Sequence, residues 1–402
     1  MKNLWTYLRG DKGIWVIILI LSVFSLLAIY SSTGTLAYKA QQGNTEYYVI
    51  KHFLLLCFGL AIMYFAHLVP YKYYSRISQL LLIIAIPALI YALFFAGQVN
   101  EAGRWIQLPV ISLSFQPSDL AKLALVMYIA RILAKEKERI KERGPFLHIM
   151  IATLIVSGLI FPANFSTSAL VFLTAMVMMF IGQINLRYIF STLAVCLTGL
   201  IMMFVLMKLM PQDRLNDMGR MGTWAARIDR FSNPGEGKVD FQAEQAKIAI
   251  ASGGLLGKAP GNSTQRNILP HPYSDFIYAI IIEEYGFIGG TGILMLYLML
   301  LFRAISISRK CEGTFGSYLV LGIAFLLVTQ ALVNMAVAVG LFPVTGQVLP
   351  FLSMGGTSLW LTSLGVGIIL SVSVDVQLKG EDIDTLKPQT AEEIAKEMGI
   401  EN

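Results

Sequence analysis

Residues 13–33 read GIWVIILILSVFSLLAIYSST, an apolar run that contains no charged residue. About 20 apolar residues in a helix are needed to cross the roughly 30 Å hydrocarbon core of a membrane, and this run is long enough. It is too long for the apolar part of a secretory signal peptide, and no small-residue cleavage site follows it. The run therefore predicts a membrane anchor that is retained.

Further apolar runs of similar length follow, and together they predict an all-α integral membrane protein with about ten transmembrane helices. Of the 402 residues, 56% are hydrophobic and only 14% are charged, whereas about a quarter of the residues in a soluble domain are charged. We expect residues 1–379 to form one membrane domain and residues 380–402 a flexible cytoplasmic tail. The predicted spans are residues 13–33, 50–69, 77–97, 117–134, 146–163, 167–183, 187–210, 275–305, 316–342 and 356–377.

The distribution of Lys and Arg predicts the orientation of these spans. Basic residues concentrate in alternate short loops, which indicates that both termini are cytoplasmic. The net charge of +6 could also suggest nucleic-acid binding, but this placement is typical of membrane topology, so no nucleic acid is expected. Residues 211–274 then form one large extracytoplasmic loop between the seventh and eighth spans. The basic residues of the cytoplasmic segments are Lys2, Arg9, Lys12, Lys72, Arg76, Lys135, Lys137, Arg139, Lys141, Arg143, Arg187, Arg309 and Lys310.

A charged cluster lies at the start of the fourth span. Ionisable groups inside a membrane are costly and are therefore candidates for function. Asp119 and Lys122 share one helix face, so they could form a plain ion pair. Alternatively, Lys122 and the preceding Arg104 could form a cationic site for a pyrophosphate. Gln116 and Ser118 belong to the same polar segment.

Two further polar segments contain no charge. Residues 162–167 form either an ordinary tight turn or polar backbone that lines a cavity. Residues 340–358 are rich in Gly, Pro, Ser and Thr, which suits either a plain outer loop or a tightly packed re-entrant segment. The candidate residues in and near these segments are Asn164, Thr167, Asn334, Thr345, Ser353 and Ser358.

The eighth span begins with a carboxylate at the predicted outer border of the membrane. Ser274 or Asp275 could simply cap the helix. Alternatively, partial burial of Asp275 would raise its pKa and suit it to act as a general base. The adjacent Glu283 and Glu284 point roughly 100° apart on a helix, so at least one faces protein or water. It could be a structural partner for an Arg or Lys.

The sequence does not specify a metal site or another cofactor. The three cysteines and four histidines show no spacing that fits a metal site or a disulfide framework. Aspartates in the large loop could attract a divalent cation such as Mg²⁺ or Mn²⁺, or could form a solvated face. These aspartates are Asp213, Asp217, Asp229 and Asp240.

Several of these segments carry motifs that occur in a particular order along the chain. They are Arg-Trp at 104–105, Gln-Pro-Ser at 116–118, the loop segments 245–257 and 262–265, Ser-Asp-Phe-Ile at 274–277, Glu-Glu-x-Gly at 283–286, and the segment 343–358. Together they resemble the SEDS family, the shape, elongation, division and sporulation proteins, over about residues 13–377. The division-type branch is the more similar.

The resemblance implies a ten-helix peptidoglycan glycosyltransferase that polymerises lipid II, the undecaprenyl-pyrophosphate-linked disaccharide-peptide. In this reaction a GlcNAc 4-hydroxyl attacks the anomeric carbon of MurNAc, with inversion and departure of undecaprenyl pyrophosphate. The resemblance implies that Asp275 is the catalytic base and that Arg104 and Lys122 offset charge on the pyrophosphate. The predicted substrate-binding residues are Arg104, Gln116, Ser118, Asp119, Lys122, Asn164, Thr167, Gln245, Ser252, Gln265, Glu283, Glu284, Asn334, Thr345, Ser353 and Ser358.

The chain departs from the family pattern at a few positions. Asn164 replaces a common Asp, which removes a charge there, and Asp119 replaces a Glu. The resemblance implies a class B penicillin-binding protein and other divisome proteins as partners, and a location in the bacterial inner membrane at the division septum. A lipid II flippase and a non-catalytic division scaffold are the alternatives. The flippase is less favoured because the polar motifs cluster at one face and no internal repeat is visible.

Overall fold

Long helices account for most of the chain in the computed structural model, which describes residues 8–34, 36, 38, 45–95, 105–108, 113–209, 241–270 and 272–397. Each predicted span coincides with one long helix whose ends lie within about six residues of the predicted ends, except that the last helix extends 20 residues beyond its span. The helices are α1 (Lys12–Ser32), α2 (Thr45–Leu68), α3 (Tyr71–Phe94), α4 (Pro117–Lys135), α5 (Arg143–Ile160), α6 (Phe165–Ile181), α7 (Leu186–Leu209), α8 (Phe241–Gly253), α9 (Ile277–Lys310), α10 (Thr314–Ala338) and α11 (Gly356–Glu397).

Eight of these helices are long and apolar enough to cross a membrane, namely α1, α2, α3, α5, α7, α9, α10 and α11. Helix α6 is apolar but has only 17 residues. Helix α4 falls short because Asp119, Lys122 and Arg131 interrupt its apolar sequence. It is nevertheless packed against α3, α5, α6, α10 and α11, and most of its residues are buried. Asp119 and Lys122 are buried and Arg131 is half-buried, so these three residues face protein. The chain is a multi-pass membrane protein, and the count of ten spans stays a prediction.

The prediction of an all-α fold is wrong in one detail, because a short hairpin precedes α4. Strands β1 (Ile106–Leu108) and β2 (Leu113–Phe115) pair antiparallel, with Ile106 opposite Phe115. Strands of three residues are too short to show an alternating pattern in the sequence. The hydroxyl of Thr357, at the start of α11, donates to the Ser114 carbonyl at 3.1 Å. The hairpin is thereby fixed to α11.

Helix α8 lies in the predicted large loop. It packs against α9 through the small residues Ala246, Ala249 and Gly253, which are buried along one side. A Cβ atom at Gly253 would lie 2.2 Å from the Ile282 carbonyl oxygen, so only glycine permits this approach. The first part of the loop, residues 211–240, lies outside the described residues, and so do its four aspartates.

The two ends of the bundle have different chemistry. At one end, Asp11 caps α1 and pairs with Arg303 at 2.8 Å, and Lys379 pairs with Glu312 at 2.8 Å. Most of the basic residues that predict the cytoplasmic side lie at this end. Helix α11 continues to Glu397, so it crosses the predicted boundary between the membrane domain and the tail. The polar motifs collect at the opposite end.

Candidate active site

Asp275 lies half-buried in the turn that precedes α9. The helix-capping interpretation is wrong, because the N-cap residue is Phe276 and the cap has no side-chain hydrogen bond. The Asp275 carboxylate instead accepts a hydrogen bond of 2.8 Å from the Ser274 hydroxyl. The carboxylate lies at the polar end of the bundle.

Hydrogen bonds from two distant segments hold the backbone of this turn. The Asn334 side chain, on α10, donates to the Asp275 carbonyl at 2.9 Å. The Ser353 hydroxyl donates to the Ser274 carbonyl at 2.7 Å, and the Met354 backbone donates to the Tyr273 carbonyl at 2.9 Å. Three consecutive carbonyl groups are thus bonded, so the position of Asp275 is fixed by residues far along the chain.

The uncharged segment between α10 and α11 packs into the bundle. Leu349 and Leu352 are buried, and the Leu352 carbonyl accepts a hydrogen bond of 3.1 Å from Ser25 on α1. The Ser25 hydroxyl is also 2.7 Å from the ring of His52 on α2. This burial favours the re-entrant interpretation over a plain loop. The predicted residues Thr345, Ser353 and Ser358 are all buried, which agrees with it.

The phenol of Tyr273 is part of the same turn. Burial raises its pKa, and the nearby Tyr48 and Asp275 raise the pKa further. A phenol with a raised pKa keeps its proton at neutral pH, because the ordinary value is already about 10. Tyr273 therefore contributes a neutral hydroxyl to the same turn as Asp275.

Lys122 forms the second polar cluster, inside the bundle near the start of α4. Its ammonium group lies 2.7 Å from an Asp119 oxygen, and both side chains are less than a tenth exposed. The predicted ion pair is confirmed, and a role toward pyrophosphate stays a prediction. Lys122 also donates to the amide oxygen of Gln330 at 2.9 Å. Arg104 lies outside the described residues.

Gln330 is not among the residues predicted from the sequence. It is buried on α10, and its amide nitrogen donates to the Val348 carbonyl at 3.0 Å. The available signal was its spacing from Asn334, because two amides four residues apart on an apolar helix lie on one face.

Two crevices lie beside these residues. Asp119, Lys122, Gln330 and Ser358 line one of about 330 Å³, whose remaining walls are largely apolar. The other measures about 320 Å³ and has Gln116, Ser118 and Asn164 among its lining residues. The structure thus divides these predicted site residues between two separate spaces.

Asn164 supports the tight-turn interpretation of residues 162–167. Its side-chain oxygen accepts a hydrogen bond of 3.2 Å from the Thr167 backbone and so caps α6. An Asn in this position satisfies one of the free N–H groups of the helix without adding a charge. Gln116 donates to the Ser118 hydroxyl at 2.9 Å on the facing side of the crevice.

Glu283 is a structural partner for a Lys, as hypothesised from the sequence. Its buried carboxylate lies 2.7 Å from the ammonium group of Lys258. It also accepts hydrogen bonds from the Thr264 backbone at 3.1 Å and from the Gln265 backbone at 3.3 Å. The exposed Ser252 lies within 3.3 Å of the same carboxylate. Glu283 therefore attaches the loop after α8 to α9.

Glu284 is buried as well and attaches a different part of the chain. Its carboxylate accepts hydrogen bonds from the Ser31 hydroxyl on α1 and from the Ser263 backbone at 3.4 Å. The Arg266 guanidinium donates to the Ser31 carbonyl at 3.1 Å. Both glutamates thus have hydrogen-bonding partners within the folded protein. Their predicted contact with substrate remains a prediction.

Helix α9 is interrupted at Gly286, which adopts a φ of +70°. The break frees backbone groups, and the loop supplies their partners. The Phe287 N–H donates to the Gly254 carbonyl at 2.9 Å, and the Lys258 N–H donates to the Glu283 carbonyl at 2.9 Å. A Cβ atom at Gly257 would lie 2.2 Å from the Glu284 carbonyl oxygen. Backbone packs directly against backbone at this kink.

Replacing Glu283 with Leu is expected to destabilise the attachment of the loop. Breaking a buried ion pair costs about 3–5 kcal/mol, and we expect the lower part of that range because the Lys258 side chain is 32% exposed and can regain water. The measurement is the rate of limited proteolysis within residues 254–265 of the purified protein, together with its thermal midpoint.

The control is the double variant Glu283→Leu with Lys258→Met, which removes both charges. It is expected to recover part of the lost stability, because no unpaired ammonium group remains. A single variant with the cleavage rate and midpoint of the wild type would contradict the assigned role of Glu283.

The predicted site residues therefore separate into groups. Asn334 and Ser353 hold the Asp275 turn, whereas Ser252, Glu283 and Glu284 belong to the contact between loop and α9. Gln245 is half-buried on α8, and Gln265 is buried beside Glu283. Across the described part of the chain, no group of three or more His, Cys, Asp or Glu residues is arranged to hold a metal ion. A need for Mg²⁺ or Mn²⁺ stays a prediction.

Comparison with known proteins gives consistent matches over nearly the whole chain. The FtsW/RodA/SpoVE family, described as cell cycle proteins, matches residues 11–378. A protein of Coxiella burnetii named "Probable peptidoglycan glycosyltransferase FtsW" is 31% identical over 382 residues, which cover 93% of this chain and 98% of that protein. Stage V sporulation protein E of Bacillus subtilis is 33% identical over 373 residues, which cover 90% and 96%.

Two solved structures share the fold. Rod shape determining protein RodA of Thermus thermophilus aligns with a TM-score of 0.65 at 23% identity, covering 92% of this chain and 98% of that chain. A chain from a structure described as "Structural coordination of polymerization and crosslinking by a peptidoglycan synthase complex" aligns with a TM-score of 0.73 at 24% identity, covering 91% and 98%. The predicted helical membrane fold is confirmed in this respect.

Proposed function

This chain belongs to the FtsW/RodA/SpoVE family of cell cycle proteins, the SEDS family, and on that basis we propose that it is a peptidoglycan glycosyltransferase. The name of the Coxiella burnetii relative supports this activity. The substrate is lipid II, which the enzyme polymerises into glycan strands for septal cell-wall synthesis. The reaction transfers one lipid-linked saccharide to another at the membrane surface.

The observation that carries the proposal is the fixed position of Asp275. Its carboxylate lies at the polar end of the bundle, and the three carbonyl groups of residues 273–275 are hydrogen-bonded to α10 and to residues 353–354. A catalytic group must be held within a fraction of an ångström of its productive position, and such supporting hydrogen bonds provide that.

In the proposed mechanism Asp275 is the general base. The acceptor's GlcNAc 4-hydroxyl attacks the anomeric carbon of the donor's MurNAc, and Asp275 takes the hydroxyl proton. The bond from that carbon to the pyrophosphate oxygen breaks, and undecaprenyl pyrophosphate leaves from the opposite face. The α-linkage thereby becomes a β-linkage. Lys122 and Arg104 offset the charge that develops on the leaving pyrophosphate.

The cellular setting follows from the same family. We propose ten spans, both termini in the cytoplasm and the segment 211–274 outside, so that the polar end of the bundle meets the outer surface. The basic residues at the opposite end support this orientation. A class B penicillin-binding protein would crosslink the product, and with other divisome proteins it would place the enzyme at the division septum.

Polymerisation by the purified protein tests the function directly. The full chain is reconstituted in liposomes with a class B penicillin-binding protein and radiolabelled lipid II, and glycan length is read on a gel. We expect polymer that disappears on digestion with a muramidase. A parallel assay follows the movement of fluorescent lipid II across the bilayer. Movement of lipid II without polymer would support a flippase. The absence of both movement and polymer would support a non-catalytic scaffold.

A further inference from the structure

Two amide side chains are buried on one face of α10. Gln330 is 4% exposed and Asn334 is 1% exposed, and their spacing of four residues places them one turn apart. Burying an amide is unfavourable unless its polar atoms are hydrogen-bonded, so the partners of the two groups indicate why they are retained.

Both ends of the Gln330 amide have partners. The oxygen accepts from the Lys122 ammonium group at 2.9 Å, and the nitrogen donates to the Val348 carbonyl at 3.0 Å. Turning the amide over would place its NH₂ group against another donor and its oxygen against another acceptor. Only one orientation therefore satisfies both contacts, and the amide holds Lys122 at a defined distance from residue 348.

The Lys122 ammonium group has three N–H donors. Asp119 and Gln330 accept two of them, at 2.7 Å and 2.9 Å. The neighbouring Asp119 offsets part of the charge of Lys122, so the effect of Lys122 on a leaving group depends on where its third donor lies. The side chain lines the same crevice as Asp119 and Gln330, so a ligand oxygen that entered it would meet that donor.

Asn334 continues the connection toward the catalytic turn. Its amide nitrogen donates to the Gln347 carbonyl at 2.7 Å and to the Asp275 carbonyl at 2.9 Å. Gln347 and Val348 are consecutive, so the amides of Gln330 and Asn334 donate hydrogen bonds to neighbouring carbonyl groups of the same backbone segment. One rigid helix face thus fixes the lysine and the turn that carries the carboxylate.

We propose that Gln330 is a positioning residue, which holds the ammonium group of Lys122 in a fixed position relative to the carboxylate of Asp275. This inference rests on the proposed glycosyltransferase function, in which Asp275 and Lys122 act on the two sides of the reacting carbon. Gln330 itself contacts no reacting atom. Its removal loosens Lys122 without removing either charged group, so it affects the chemical step more than the binding of the lipid substrate.

A double-variant cycle tests this role. Polymerisation is measured in liposomes with lipid II and the penicillin-binding protein for the wild type, Gln330→Met, Lys122→Met and the double variant. We expect Gln330→Met to lower kcat about 10- to 100-fold and to leave KM within about threefold, because misplaced catalytic groups slow the chemical step. The double variant is expected to be no slower than Lys122→Met alone, since Gln330 acts through that residue.

Thr329→Val is the control, because it alters the neighbouring polar residue on the same helix and is expected to keep the wild-type rate. If Gln330→Met does not fold, Gln330→Glu is measured in its place. That variant keeps an oxygen toward Lys122 but removes the donor to Val348. It is also expected to lower kcat and to show no further loss when combined with Lys122→Met.

Normal polymerisation by the Gln330 variants would overturn the inference. A double variant whose loss of kcat equals the product of the two single losses would overturn it too, because such independence indicates a general structural effect of the Gln330 substitution. In both cases the wild type remains active and the proposed function stands. A wild type that forms no polymer would instead overturn the proposed function, and this inference with it.

Discussion

Replacing Asp275 with Asn is expected to reduce glycan polymerisation by at least about 100-fold, because a positioned general base contributes roughly 10²–10⁴ to a rate. Asn keeps the size of the side chain but cannot take a proton from the attacking hydroxyl. The protein is expected to stay folded, since the hydrogen bonds that hold the turn reach backbone carbonyls and do not involve the carboxylate. The measurement is the initial rate of polymer formation from lipid II.

The matched control is Glu312→Gln at the other end of the bundle. Its carboxylate is exposed and pairs with Lys379 at 2.8 Å, and exposed pairs contribute little to stability. This variant is expected to polymerise like the wild type. Ser274→Ala adds an intermediate case, because it removes only the hydrogen bond to the Asp275 carboxylate. Equal rates for Asp275→Asn and the wild type would disprove the proposed base.

The second large effect is expected for Gly286→Ala at the kink of α9. A Cβ atom there would lie 2.2 Å from the Leu255 carbonyl oxygen and 2.5 Å from the Gly257 nitrogen, and both are backbone atoms. With φ +70° and ψ −172°, Gly286 lies in a backbone region that is essentially restricted to glycine, which adds about 1–3 kcal/mol for a residue with a side chain. Because backbone cannot move aside as a side chain can, we expect a loss of more than about 3 kcal/mol, within the range of overpacking combined with backbone strain.

Gly261→Ala tests a positive φ without the close backbone contact. Gly261 has a φ of +80°, close to that of Gly286, but a Cβ atom there meets nothing within 4 Å among the described residues. Its thermal midpoint is expected to fall by only a few degrees. A similar fall for both variants would mean that strain alone matters and that the contact between kink and loop is unimportant. The readout is intrinsic tryptophan fluorescence during heating of the purified protein.

The helices could be predicted from the sequence because their apolar runs are long. Helix α4 was the weakest prediction, since Asp119, Lys122 and Arg131 interrupt it, and its central position explains why these charges are tolerated. The hairpin before α4 could not be predicted, because its strands have three residues each and no periodic pattern.

The candidate site was predicted in part. Asp275 and Ser353 were named from their positions in motifs and Asn334 as a polar residue in an apolar span, and the structure brings them together. The partners of buried groups were harder to predict, because Lys258 is 25 residues from Glu283 and nothing local links them. The spacing of Gln330 from Asn334 was a usable signal, but its role could not be predicted because its partner Lys122 lies 208 residues away.

The contacts around α9 imply an order of assembly during synthesis. The loop contacts the kink through pairs such as Lys258 and Glu283, which are 25 residues apart. Both partners have therefore been synthesised by the time the first part of α9 is complete. The Asp275 turn depends on Asn334 and Ser353, which follow their partners in the turn by 59 and 79 residues. Closing the longer separations costs more chain entropy. The scaffold around the kink can thus mature while the catalytic turn is still incomplete, and a nascent chain gains its active centre only near the end of translation.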